Sequence, residues 1–427
     1  ITDFHLRLNL SEQLSVLTSG KSRMHILPWN VDSVVTLKGS FRTSPDFQKG
    51  DELIQDLLVS MLDKGTALRS KLAVAEALED RGASIRFQSA GIRIRFEIKC
   101  LKPDLGDVVQ LLIEQLNQPL FNVDEFELLK GRLQASVERM RSDTSSLSSS
   151  ILSRHVYDAD HPARALPLEE LERSLENMEL AALSSLHERQ FGASDFECAL
   201  VGDIAGVNLD ALFTQLCSGW SSQDNDDAIF KVLPLPQKRE TRHVEVADRL
   251  NLDVRMGHGV DLLKTHPDYL PLFISIFALG GNFSSHLMST IRDRDGLTYG
   301  IRSSLSGVSK DYPGMWSTSV TLSQENLERG VGATLSEIEH FLGSGIDQSE
   351  LDEKKSTLTG AYQVQLSSTS GVASTLLSNA ENGHVSERID TYPDEVLEIS
   401  LKQANRAMAR HLDASSLTIV SAGTKEA

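Results

Sequence analysis

One order of secondary-structure elements occurs twice in this chain, and that repetition restricts it to a pair of like units. In the first half, strand-like runs at 14–18 and 31–41 precede helical periodicity at 51–62 and 71–81. An alternating strand pair at 83–88 and 92–100 follows, then helices at 105–117, 123–141 and 169–190, a strand at 197–201 and a helix near 208–217. The second half runs in parallel: strands at 243–246 and 253–259, helices at 267–279 and 284–293, and a strand pair at 300–306 and 314–322. Long helices at 325–342 and 348–366 and a last strand at 417–421 complete it. Local likeness supports the duplication. L-E-D-R-G at Leu78–Gly82 mirrors I-R-D-R-D-G at Ile291–Gly296, and the helix-opening run at Phe121–Leu133 mirrors Ile346–Leu358. The expected fold class is α+β: two duplicated domains, each an antiparallel-dominated sheet with helices on one face.

Length agrees, because 427 residues suit two cores better than one. The stretch 221–239, with the polar run S-S-Q-D-N-D-D at its start and L-P-L-P-Q-K-R at its end, reads as the linker between a domain at 1–220 and a domain at 240–427. The Ser-rich patch at 142–150 has helical, apolar flanks, which argue against a second flexible linker. The net charge of −18 disfavours nucleic acid and anionic membrane surfaces as partners. The most apolar run, 269–279, is too short for a membrane span. The chain opens at Ile1 without a signal-peptide pattern, so a leader, a start or a preceding domain is expected upstream. Cys100, Cys198 and Cys217 are scattered, read as buried structural thiols and say little about compartment. A periplasmic or extracytoplasmic setting is favoured over a cytoplasmic one.

The block from Leu279 to Gly300 carries the most chemistry. It holds the pair Gly280–Gly281, then Asn282 and Phe283, then I-R-D-R-D-G-L-T-Y-G with Arg292 and Tyr299 seven residues apart. Read alone, it is a helix end: charges in the last turn, a stop at Gly296, then a strand whose tyrosine packs. A second block, D-L-L-V-S-M-L-D-K-G-T at Asp56–Thr66, sits on the helix predicted at 51–62. Together with the repeat order, length and linker place, these blocks resemble the M16 zinc peptidases, the family of insulin-degrading enzyme and the mitochondrial processing peptidase. The likeness spans nearly the whole chain and implies the M16, LuxS-like metallohydrolase fold.

In that family, one half carries H-x-x-E-H on a helix: two histidines for zinc, a glutamate as general base, and a carboxylate ligand from a second helix. The motif runs on into M-L-x-K-G-T, which Met61, Leu62, Lys64, Gly65 and Thr66 supply here. The resemblance therefore places Asp56 at the first histidine, Val59 at the base, Ser60 at the second histidine and Ser136 near the third ligand. Valine moves no proton, and serine is a poor ligand for zinc. None of the twelve histidines forms an i, i+4 pair with a nearby carboxylate. The expectation is no metal or other cofactor in this chain and zinc in a partner half.

By the same resemblance, Arg292 and Tyr299 come from the half opposite the zinc and act in trans. Tyr299 would donate its phenol proton to the scissile carbonyl oxygen. Arg292 would hold substrate carbonyls or a carboxylate through its planar fork. Gly280 and Gly281 would let backbone approach the peptide, beside Asn282 and Phe283. The strand after Tyr299 would pair with extended substrate. His286 is expected to pack locally rather than touch substrate. The implied partners are a zinc-bearing M16 catalytic subunit or N-terminal half and a peptide substrate. Two other readings stand beside this one: an assembly subunit that kept the fold without catalysis, and a stand-alone peptide-binding protein.

Overall fold

The structure, a computed structural model, describes residues 9–43, 49–190, 194–218 and 230–425. It divides into two compact units, each drawn from both halves of the sequence. The first comprises Ile1–Arg132, Asn177–Ala228 and Ala361–Pro393; the second comprises Leu133–Glu176, Ile229–Gly360 and Asp394–Ala427.

The first unit is built on six strands: β1 (Ser15–Ser19), β2 (Ser22–Pro28), β3 (Val34–Arg42), β4 (Ser84–Ala90), β5 (Arg93–Leu101) and β6 (Ser194–Gly202). Their spatial order is β1-β2-β6-β3-β5-β4, antiparallel except for β2 beside β6. Alternation sets the two faces. On β5, Ile94, Phe96, Ile98 and Cys100 are buried on one side, while Arg95, Glu97 and Lys99 point to the other. Gly39 lies opposite Phe96 on β3, where an added Cβ would come within 2.1 Å of the ring. Only glycine leaves room for that phenyl group, and Phe96→Ala would cost about 3–5 kcal/mol.

Helices α1 (Asp51–Met61), α2 (Lys71–Glu79) and α3 (Leu105–Asn117) contact β4 and β5. The other face takes α12 (Thr369–Glu381) against β3 and β6, where Val372, Ala373, Leu376 and Leu377 share an apolar cluster with Leu27, Ala199 and Val201. Polar contacts flank that cluster. Thr36 and Thr369 hydroxyls are 2.9 Å apart, Ser370 Oγ donates to Glu97 at 2.9 Å, and Arg95 forks onto Glu381 at 2.8 and 2.7 Å.

The second unit repeats the plan with β7 (Glu240–Glu245), β8 (Asn251–Val260), β9 (Ile301–Ser306), β10 (Gly314–Ser323) and β11 (Thr418–Gly423). Its order is β7-β11-β8-β10-β9, with the one parallel pair at β7 and β11. This is the first sheet's β2-β6-β3-β5-β4 without the extra hairpin strand, the parallel pair in the same place. The duplication is therefore a shared topology. Its small signatures agree as well: Gly82 and Gly296, matched by sequence, both take left-handed φ, at 57° and 65°. The matched helices α4 (Val123–Met140) and α11 (Gln348–Gln365) both have 18 residues.

Several elements differ from expectation. The strand β2 is additional. The Ser-rich patch is helix α5 (Thr144–Val156), capped by Asp143, whose carboxylate accepts from Ser145 and Ser146 N–H. It packs on β8 and β11 in the second unit through Leu152 and Val156. The run expected at 169–190 is two helices, α6 (Leu168–Glu176) and α7 (Leu180–Gln190). After α11 come α12, α13 (Arg388–Leu397) and α14 (Leu401–His411), which periodicity did not reveal. All strands of the first unit fall within 1–220 and all those of the second within 240–427, but α5 and α12 each serve the sheet of the other sequence half. Of the expected linker, 221–229 lies outside the described residues. No helix among those described is long and apolar enough to cross a membrane.

Candidate functional site

In the second unit, α9 (Tyr269–Gly280) buries Leu272, Ile274, Ile276 and Leu279 and ends against β9. The closeness of that approach explains Gly280, while Gly281 avoids a clash within its own helix. A Cβ on Gly280 would lie 2.4 Å from Ser303 N, and one on Gly281 would lie 2.2 Å from the Phe277 ring. The two glycines are therefore needed for packing of the helix end, whatever else they do. Ser303 is the hub beneath them, accepting from buried Trp316 Nε1 at 2.9 Å and lying 3.2 Å from Thr318 Oγ1.

The loop after Gly281 is fastened by Lys354, whose side chain is 1% exposed. Its ammonium donates to Ser284 O at 3.0 Å, Ser284 Oγ at 2.9 Å and Glu353 Oε1 at 3.1 Å, with Asn282 Oδ1 at 3.5 Å. A buried cation demands such company. Asn282 and Phe283 are thus presented by an anchored loop, and the Phe283 ring is 77% exposed.

The segment predicted as an α-helix at 284–293 contains a π-helical turn at Met288–Arg294. Such wide turns recur at functional sites. The turn closes at Gly296, whose N–H donates to Arg292 O at 3.1 Å, so the expected stop is where it should be. The packed tyrosine of the purely local reading does not occur: Tyr299 is 99% exposed. Thr298 Oγ1 lies 2.7 Å from Thr321 O and accepts from Gly300 N at 3.2 Å, which fixes the turn that carries Tyr299.

Tyr299 stands at the junction of two cavities. One, of about 540 Å³, is lined by the Gly280–Phe283 loop, Tyr299, the start of β9 and parts of β8 and β10. The other, of about 1010 Å³, is lined by Arg292, Asp293, Thr298 and Tyr299 among others. The Arg292 guanidinium lies over the Phe283 ring at 5.6 Å, with only a loose approach to Asp293 at 3.9 Å. Arg292, Tyr299, Phe283, Asn282 and the glycine pair thus gather in one region. Beside them β9 is a sheet edge.

His286 is drawn away from this region. It sits between Glu350, at 2.8 Å, and Glu337, at 3.3 Å, edge-on to Phe341. The hydrogen bond to Glu350 raises its pKa above the ordinary value, against burial.

The positions matched to the zinc motif lie on α1. Asp56 and Ser60 are on its exposed side and Val59 is buried. Ser60 Oγ donates to Asp56 O at 2.8 Å, so its hydroxyl is engaged by its own helix. Neighbouring atoms partly desolvate the Asp56 carboxyl and raise it although the residue is exposed, and burial lifts Glu52, one turn earlier, to about 7. A helix face that offers one carboxyl at the matched positions and no imidazole does not fit zinc. Ser136 lies half-buried on the part of α4 that belongs to the second unit.

Elsewhere in the second unit, His266, Asp268 and His411 come within 4.8 Å of one another. Their groups already serve the protein. Asp268 N–H donates to His266 Nδ1 at 3.0 Å, and Asp268 Oδ2 holds His411 Nε2 at 3.0 Å and Arg410 at 3.2 Å. These bonds tie the start of α9 to the end of α14.

Comparison with known proteins adds family context. Residues 54–167 match the insulinase family, peptidase family M16, and residues 177–358 match the peptidase M16 inactive domain. A protein of Helicobacter pylori named non-peptidase homolog YmxG is 22% identical over 404 residues, 94% of this chain and 90% of that one. The crystal structure of a peptidase M16 inactive domain from Pseudomonas fluorescens is similar with a TM-score of 0.87 at 21% identity, over 97% of this chain and 99% of that one. The periplasmic protease PqqL from Escherichia coli has a TM-score of 0.79 at 15% identity, over 97% of this chain but only 46% of that longer chain.

Proposed function

This chain belongs to the M16 peptidase family, and from that premise we propose that it is a non-catalytic member that supplies a peptide-binding face to a zinc-bearing half. The observation that carries the proposal is the setting of Tyr299. A tyrosine 99% exposed, on a turn fixed by Thr298 and between two cavities, contributes little to folding. Its position suits a donor aimed at a bound peptide. The full exposure and the nearby Arg292 favour this over a pure scaffold, which has no use for either.

In this reading the degenerate positions Asp56, Val59, Ser60 and Ser136 are what remains of a zinc site, and the metal belongs to the partner. Peptide would lie along the β9 edge, its backbone completing the ladder. Arg292, steadied by Phe283, would hold a substrate carbonyl. Tyr299 would donate its phenol hydrogen bond to the scissile carbonyl oxygen as negative charge builds there. The domain division at 221–239 and a periplasmic or other extracytoplasmic setting belong to the same proposal; likeness in fold to a periplasmic protease supports the latter.

The test is reconstitution. The chain is mixed with an M16 chain that carries H-x-x-E-H from the same genome, and cleavage of a fluorogenic peptide is followed. Activity in the mixture that neither chain shows alone is expected. A partner equally active without this chain would refute the proposal.

A further inference from the structure

We propose that Arg255 and Arg302, on neighbouring strands of the 540 Å³ cavity, form a carboxylate-recognising subsite that selects an acidic residue in the bound peptide. The inference rests on the peptide-binding reading of this cavity. In the sheet register Ser319 of β10 stands opposite both Arg255 of β8 and Arg302 of β9. Residues directly opposite share a face, so the two arginines flank Ser319 in one row, roughly 9.5 Å apart at Cα by the strand spacing. Both line the cavity.

Neither arginine forms an ion pair among the described residues. Arg255 donates to Ser145 Oγ at 3.3 Å. The nearest acid in the cavity, Asp253, accepts from the hydroxyls of Thr144 at 2.6 Å and Thr321 at 2.5 Å. Burial pushes the Arg255 guanidinium down, and the fields of Asp253 and Asp143 do not restore it. The cationic pair is left under-compensated in a chain whose net charge is −18.

The corresponding place in the first unit behaves differently. Its cavity, of about 590 Å³, is lined by Lys38, Arg86 and Arg95 together with Glu97 and Glu381. Glu97 stands opposite both Lys38 and Arg86, in the place that Ser319 holds between Arg255 and Arg302, and it meets Lys38 at 3.3 Å. Arg95 meets Glu381 at 2.7 Å. The second unit has an uncharged serine at the centre of its arginine row.

Guanidinium forks match carboxylates in shape and charge. A peptide added along β9 would place the residue opposite Arg302 on the same face, about 5 Å away at Cβ. An Asp or Glu there meets Arg302 first, with Arg255 behind it.

The experiment uses the full chain and fluorescein-labelled, C-terminally amidated ten-residue unstructured peptides with a central Glu or Gln. A further Gln peptide has a free C-terminus. Binding is read by anisotropy at about 0.15 M salt. The Glu peptide should bind about 3- to 10-fold more tightly than its Gln twin, as charge-assisted hydrogen bonds in a partly screened site allow. Arg302→Gln should erase that preference, and Arg255→Gln should reduce it. Because Arg302 is exposed, its variant should fold, and it decides the matter if the Arg255 variant does not. Equal binding of the Glu and Gln peptides, or a preference that survives Arg302→Gln, would overturn the subsite. Tighter binding by the free-C-terminus peptide alone would overturn the assignment to a side chain. If no peptide binds, the peptide-binding reading itself fails.

Discussion

The Arg292 guanidinium stacks over the Phe283 ring at 5.6 Å, joining the π-helical turn to the loop after α9. Such a contact at an exposed site is worth about 0.5–1 kcal/mol. Its value lies in orientation: among the described residues no acid approaches Arg292 more closely than Asp293, at 3.9 Å. Phe283→Ala should therefore loosen Arg292 and raise the KM of the reconstituted enzyme by about 2- to 5-fold. The melting temperature should stay within a degree or so, because an exposed ring buries little. A lowered melting temperature with unchanged KM would show that Phe283 serves packing instead.

Lys354 gives a prediction of the opposite kind. Its ammonium is buried and donates to Ser284 and Glu353. Lys354→Met removes those bonds and should cost about 1–3 kcal/mol. Amide exchange should accelerate around residues 282–286 before it does in the sheet. Uniform destabilisation with no local loosening would mean the lysine does not fasten the loop.

Much of this architecture could be read from the residues themselves. The β5 alternation, the glycine stop at Gly296 and the repeated helix openings all express local chemistry, so they matched. The Ser-rich α5 was hard to see because its apolar stripe is short and its sheet is assembled from strands far along the chain. The role of Gly280 was also hidden. The need for a missing Cβ arises from Ser303, 23 positions later, which no local pattern reports. Tyr299 shows the limit most clearly. The same residues fit a packed tyrosine and an exposed one, and only the tertiary fold distinguishes them. The arginine row Arg255–Arg302 depends on strand register and could not be found by spacing.

His286 makes stability depend on pH. Its folded pKa is raised, chiefly by Glu350, so the protonated form is favoured on folding. Its contribution is complete below the ordinary imidazole value of about 6.5 and is lost as pH rises through the higher folded value. Thermal melts of the wild type and His286→Gln should differ most at acidic pH and converge on the alkaline side. A difference constant across that range would contradict the assignment.

The α1 helix should hold no stoichiometric zinc. Asp56 is its one carboxylate at a matched position, Val59 is apolar and Ser60 is engaged by the helix backbone. Metal content after dialysis should be far below one ion per chain. A tightly held zinc abolished by Asp56→Ala would contradict the reading.

The central claim is that Tyr299 acts on substrate in trans, and steady-state cleavage of a fluorogenic peptide by the zinc-bearing partner with each variant tests it most directly. Tyr299→Phe should lower kcat by about 10- to 1000-fold with a smaller change in KM, because the lost hydrogen bond forms mainly in the transition state. Arg292→Ala should chiefly raise KM, since a backbone clamp holds ground state and transition state alike. Neither change should move the melting temperature appreciably, given the exposure of Tyr299. Unchanged kinetics with Tyr299→Phe would contradict the account and leave this chain a scaffold.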